Sequence, residues 1–131
     1  MGPISVLLVD DHDDSREVFA TILRYHGYVV MEASDGDEAL RLTRTTMPGV
    51  VVTDLNMPGL DGAALIRALK RDVGLAAIPT LVVTADTTWQ ARSDAESAGC
   101  SAFMLKPLTP RALLASVQAL SPAEGAAFHP V

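Results

Sequence analysis

The stretch Val50-Val51-Val52-Thr53-Asp54 decides the fold. Four β-branched residues in succession lose rotamer freedom in a helix and suit an extended strand. Apolar side chains at consecutive positions leave neither face of that strand for water, so it belongs in a sheet covered on both sides. The run then stops on an acid. Outward from it, similar short runs fall at Ile4 to Val9, Tyr28 to Met31, Thr80 to Val83 and Ala102 to Leu105, each followed by a polar or small-residue turn.

Between these runs the apolar spacing becomes helical. Val18, Phe19, Ile22 and Leu23 follow it, as do Leu65, Ile66 and Leu69, then Leu113, Leu114 and Val117. Weaker helical segments cover Asp37 to Thr45 and Thr87 to Ala98. Strict strand–helix alternation implies an α/β fold, a doubly wound parallel sheet of five strands with five helices on its two faces, joined by right-handed crossovers. Five such units suit the flavodoxin-like strand order 2-1-3-4-5; that order is carried over from known sheets, since periodicity gives the class alone. Residues 1–120 are expected to form one domain. From Ser121 to Val131, Pro and Gly punctuation without an apolar period reads as a tail or a truncated linker.

Composition limits the function classes. With 49% hydrophobic and 20% charged residues in 131, a substantial core forms and disorder throughout is excluded. The net charge is −6 and the ten Lys and Arg residues are scattered, which disfavours direct nucleic-acid binding. Apolar runs fall far short of the ~20 residues that cross a bilayer, and Met1-Gly2-Pro3 enters a strand without a signal-type segment, so the expectation is a cytoplasmic protein with no membrane partner. Cys100, alone of its kind, reads as a small buried apolar residue. Trp89 is out of phase with Ala91, Ala95 and Ala98, which predicts either an exposed anchor for a partner or a ring folded back over the preceding loop.

In open parallel sheets ligands bind beyond the carboxyl ends of the strands. The residues there are Asp10-Asp11, Asp54, Thr84-Ala85 and Lys106-Pro107. Three converging carboxylates repel, at roughly 4 kcal/mol per pair at ~4 Å and an effective dielectric of ~20, so a cation belongs among them. Magnesium, with manganese as a substitute, takes oxygen ligands while keeping waters that a phosphate can displace; Lys106 adds a fixed positive charge. Such a set suits phosphoryl transfer, with Asp54 as nucleophile, Asp10 and Asp11 holding metal, and Thr84 and Lys106 binding phosphoryl oxygens. A strand-end Asp taken singly is better explained as a helix cap or turn former; the conjunction of five such residues is not. His12, after the acidic pair, reads as a solvated turn residue.

Val9-Asp10-Asp11, Asp54-Leu55-Asn56-Met57-Pro58-Gly59-Leu60-Asp61-Gly62, Thr84-Ala85 and Lys106-Pro107 together resemble the bacterial response-regulator receiver domain of two-component systems, chemotaxis regulators included, over the chain to about Leu120. The resemblance implies that Asp10, Asp11, Asp54 and the backbone carbonyl of Asn56 hold magnesium, and that Asp54 takes its phosphoryl group from a histidine kinase, a histidine phosphotransfer protein or a small-molecule donor. It implies a switch pair, Thr84 and Phe103, the latter without the hydroxyl of the family's tyrosine and so acting by packing. Asn56 and Asp86 fall at positions that tune loss of the phosphoryl group, and the Lys106–Pro107 bond resembles a cis bond of the family. The implied output is contact with a downstream protein or a linked effector domain, or a homodimer through the fourth helix, fifth strand and fifth helix. Two rivals remain: a haloacid-dehalogenase-like phosphatase, whose paired acids normally stand one residue apart after the first strand, and a receiver-like scaffold working without phosphorylation, which usually lacks one of the acidic, Thr or Lys positions.

Overall fold

A computed structural model describes residues 3–122. Strands β1 (Ser5–Val9), β2 (Val29–Ala33), β3 (Val50–Thr53), β4 (Thr80–Thr84) and β5 (Ala102–Leu105) alternate with helices α1 (Asp13–Tyr25), α2 (Gly36–Thr46), α3 (Gly62–Arg71), α4 (Trp89–Ala98) and α5 (Pro110–Leu120). All strand pairs are parallel, in the order β2-β1-β3-β4-β5. The alternation along each strand assigns the faces. Val6, Leu8, Val50, Val52, Leu81 and Val83 point to α1 and α5 and meet Leu23 and Leu113. Leu7, Val9 and Val51 point the other way, to Leu65 and Leu69 of α3. Val82 meets Ile66, Ala91 and Ala95 between α3 and α4. Each fully buried Val, Leu or Ile side chain contributes about 1.5–3 kcal/mol of transfer energy.

Element ends differ from the periodicity by one or two residues, for local chemical reasons. The helix expected from Thr87 begins at Trp89, because the Thr88 hydroxyl accepts the Ala91 N–H at 3.2 Å and makes Thr88 the cap. Asp35 caps α2 through the Glu38 N–H at 2.8 Å, and the Glu38 carboxylate reaches back to the Ser34 N–H at 2.9 Å. Asp61 and Thr109 cap α3 and α5. Val18 does not join the core: it is 56% exposed, and Ala20 and Leu23 carry the buried face of α1. Cys100 is part-buried rather than buried. Trp89 stands exposed at 78% and does not fold back over the loop, while Ala91, Ala95 and Ala98 are buried. Of the expected tail, Ser121 caps α5, and residues 123–131 lie outside the described residues. No described helix is long and apolar enough to cross a membrane.

Candidate functional site

Register places the site. Val9 pairs with Thr53, so the residues that follow them, Asp10 and Asp54, sit side by side, and the Asp54 N–H donates to the Val9 carbonyl at 3.0 Å. Thr84 pairs with Leu105, and the Lys106 N–H donates to the Thr84 carbonyl at 2.8 Å, which brings the lysine to the same edge. None of Asp10, Asp11 and Asp54 is a helix cap; Asp35 and Asp61 fill that role elsewhere.

Lys106 is the hub. Its Nζ donates to Asp10 Oδ2 at 3.0 Å, to Asp54 Oδ2 at 3.1 Å and to Ser15 Oγ at 3.4 Å. Burial alone would lower its pKa, but the hydrogen bond it donates to Asp10 and the charges of Asp54 and Asp10 outweigh burial and raise it, so the ammonium stays charged. The Lys106–Pro107 peptide is cis. Asp10 and Asp54 are only 3% and 8% exposed, which leaves their charges little water and makes the ammonium their principal compensation. Asp54 Oδ1 accepts the N–H groups of Leu55 and Asn56 at 2.6 and 3.3 Å, which fixes the carboxylate plane. The start of α3 is drawn close beneath it: a Cβ at Gly62 would overlap the Asp54 carbonyl and lie 2.9 Å from Leu55 Cα.

The carboxylates leave room for one more positive charge. One ligand atom from each of Asp10, Asp11, His12 and Asp54 lies within 4.8 Å of the others. Asp11 Oδ1 is enclosed yet accepts no hydrogen bond from any described residue, although His12 Nδ1 lies 3.2 Å away, off the hydrogen-bonding direction. An orphaned anionic oxygen beside two further carboxylates is what a hard dication satisfies, so these residues fit magnesium. His12 is 70% exposed, in keeping with a turn residue, but its Nδ1 also lies 3.3 Å from Asp10 Oδ1, a proximity its sequence position does not announce.

The rim follows the sequence in part. The buried Thr84 hydroxyl accepts the Asp86 N–H at 3.2 Å. Asn56 Nδ2 donates to Asp86 Oδ2 at 2.9 Å, so the two candidate tuning residues are joined, and this bond, with those from Thr88, lowers the Asp86 pKa. Phe103 is half-buried, with the Arg92 guanidinium 4.9 Å above its ring. A cavity of about 390 Å³ opens beside the lysine, lined by Ser15, Phe19, Ala85, Lys106, Pro107 and Leu108.

Sequence reasoning missed Arg16. Its NH1 donates to the Asp10 carbonyl at 2.6 Å, its NH2 to Asp13 Oδ1 at 2.8 Å and its Nε to Glu32 Oε1 at 3.1 Å. The available signal was Glu32 itself, an acid directly following the apolar run Val29-Val30-Met31, which calls for a cation nearby.

Known proteins share this fold and much of this sequence pattern. The family model described as the response regulator receiver domain matches residues 6–118. The chain is 34% identical over 116 residues to the chemotaxis protein CheY of Pseudomonas aeruginosa, covering 88% of this chain and 94% of that one. It is 36% identical over 115 residues to the probable transcriptional regulator ycf27 of Guillardia theta, covering 88% of this chain but only 44% of that longer relative. Among solved structures, chemotaxis protein CheY4 of Vibrio cholerae superposes with a TM-score of 0.85 at 28% identity, over 91% of this chain and 99% of that one. A putative response regulator from Chloroflexus aurantiacus superposes at 0.86 with 30% identity, over 90% and 97%. The chain therefore belongs to the response regulator receiver domain family, the regulatory phospho-acceptor domains of two-component signalling.

Proposed function

We propose that Asp54 accepts a phosphoryl group from a phosphohistidine donor in a magnesium-dependent reaction. The observation that carries this reading is the Lys106 ammonium shared between Asp10 and Asp54, at 3.0 and 3.1 Å, beside the orphaned oxygen of Asp11. Asp10, Asp11, Asp54 and the Asn56 backbone carbonyl would hold magnesium, or manganese in its place. When bound, the dication supplies the charge that neutralises the phosphoryl oxygens. An oxygen of Asp54, held in plane by the Leu55 and Asn56 N–H groups, attacks phosphorus. The P–N bond of the donor breaks, and the imidazole leaves with its electron pair and is protonated from solvent. Lys106 then turns from the Asp54 carboxylate to a phosphoryl oxygen, and the Thr84 hydroxyl donates to another.

The Thr84 movement opens space toward β5, and Phe103 turns into it by packing alone, altering the face formed by α4, β5 and α5. That face would meet a downstream protein, a linked effector or a second copy of the chain. Residues 1–120 act as the receiver and the segment from Ser121 as a tail or linker. Asn56 and Asp86, hydrogen-bonded across the mouth, would meter water reaching the phosphoryl group. The cavity beside Lys106 gives a histidine kinase or phosphotransfer protein access to the site. The setting is cytoplasmic.

Incubation with acetyl phosphate and magnesium, followed by intact mass measurement, tests the reading. One added phosphoryl group is expected, absent with EDTA and absent in Asp54→Asn. Labelling of Asp54→Asn at the unmodified level overturns it; no adduct in the unmodified protein points to a scaffold, and rapid phosphate release without an adduct to a phosphatase.

A further inference from the structure

We propose that Arg16 is a positioning residue that sets the cation affinity of the acidic site by clamping the peptide unit between Asp10 and Asp11. The inference rests on the reading of that site as a dication-binding phospho-acceptor. The carbonyl that Arg16 NH1 meets at 2.6 Å belongs to the peptide linking the two acids. Rotation of this one plane would swing both carboxylates, so fixing it fixes their relation to each other and to Asp54. The same stretch is held from the other side, where the Asp10 N–H donates to the Ala33 carbonyl at 3.1 Å.

The clamp is itself anchored. Nε bonds Glu32 at the end of β2 and NH2 bonds Asp13 in the first turn of α1. Glu32 is held again by Arg24 NH1 at 3.2 Å, and Arg24 NH2 bonds the Val30 carbonyl at 2.9 Å. The Arg16 side chain is 15% exposed, so the geometry is not one that surface mobility averages away. Its charge faces two carboxylates, Asp13 and Glu32, outside the metal-binding set, and its three hydrogen bonds leave the carboxylate oxygens of Asp10, Asp11 and Asp54 to a cation. Arg16 uses a different nitrogen of its rigid planar fork for each of the three acceptors; a lysine in its place offers a single nitrogen and loses that fork. Groups that orient ligands in this way typically carry 10–100-fold in metal affinity.

The test uses the full chain and its Arg16→Met, Arg16→Lys and Glu32→Gln variants. Magnesium affinity is measured by calorimetry, phosphorylation of Asp54 by acetyl phosphate is followed across magnesium concentrations, and thermal unfolding is recorded in EDTA. We expect magnesium binding to weaken on the order of tenfold in Arg16→Met, with Arg16→Lys giving little rescue. Phosphorylation should fall at limiting magnesium and return to near the unmodified rate at saturation. Glu32→Gln should weaken binding less, and add little when combined with Arg16→Met, because the two act through one linkage. A folded Arg16→Met protein with unmodified magnesium affinity overturns the proposal, whatever its melting temperature. Should that variant not fold, unmodified affinity in Arg16→Lys overturns it equally. An unmodified protein that binds no magnesium instead sinks the reading of the site itself, and the inference with it.

Discussion

Lys106 Nζ and Asp54 Oδ2 stand 3.1 Å apart across 52 residues of chain, and the same nitrogen lies 3.0 Å from Asp10, 96 residues away. Removing that ammonium leaves two carboxylates with little access to water. Lys106→Met is expected to lose about 3 kcal/mol of stability in EDTA and to recover part of it when magnesium is added. Chemical denaturation with and without the metal checks this, and equal losses under both conditions would refute it.

Asp11 predicts the opposite sign. Its enclosed Oδ1 has no hydrogen-bond donor among the described residues and faces two like charges. Asp11→Asn should therefore stabilise the metal-free protein by about 1 kcal/mol, the lower end of what an unsatisfied buried polar group costs. The same variant should lose the stabilisation that magnesium gives the unmodified chain. Paired melting curves in EDTA and in magnesium provide the measurement.

Gly62 is constrained by contact rather than by its backbone angles. A methyl group there meets the Asp54 carbonyl and Leu55 Cα, neither of which can yield without moving β3 or α3. Gly62→Ala is expected to cost about 2 kcal/mol, as overpacking in a tight site does, and to slow labelling at position 54 in the fraction that remains folded.

Burial, with the nearby Glu96 charge, raises the Cys100 thiol pKa above its ordinary 9.0. The proton is therefore held longer in the folded chain than in the unfolded one. The associated stability is present below pH 9.0 and declines as pH rises toward and through the folded value. Alkylation of Cys100 in native protein should consequently show a midpoint above 9.0, and that in denaturant should fall near it. Coincident profiles would contradict this.

The parts of the site that were legible in sequence are those dictated by topology. Parallel strands joined by right-handed crossovers must end on one edge, so Asp54, Thr84 and Lys106, each read as closing or following an apolar run, had to meet. Val18 shows where pattern alone runs short: several apolar residues share one helix, and the packing of α1 decides which of them face inward. Arg16 lay out of reach for a different reason. Its partner is a backbone carbonyl, which every residue possesses and no residue name reveals. The Arg92 cover on Phe103 and the Asn56–Asp86 bond likewise depend on side-chain directions from separate segments of the chain.

Because β5 lies at the sheet margin and is the last strand in sequence, the ammonium of this site is also its last component to be synthesised. On the ribosome Asp10, Asp11 and Asp54 emerge well before Lys106, so a nascent chain halted short of that residue bears three mutually repelling acids and no internal counter-charge from it. Synthesis of β5 and the arrival of the cleft's fixed counter-charge are in this sense one event.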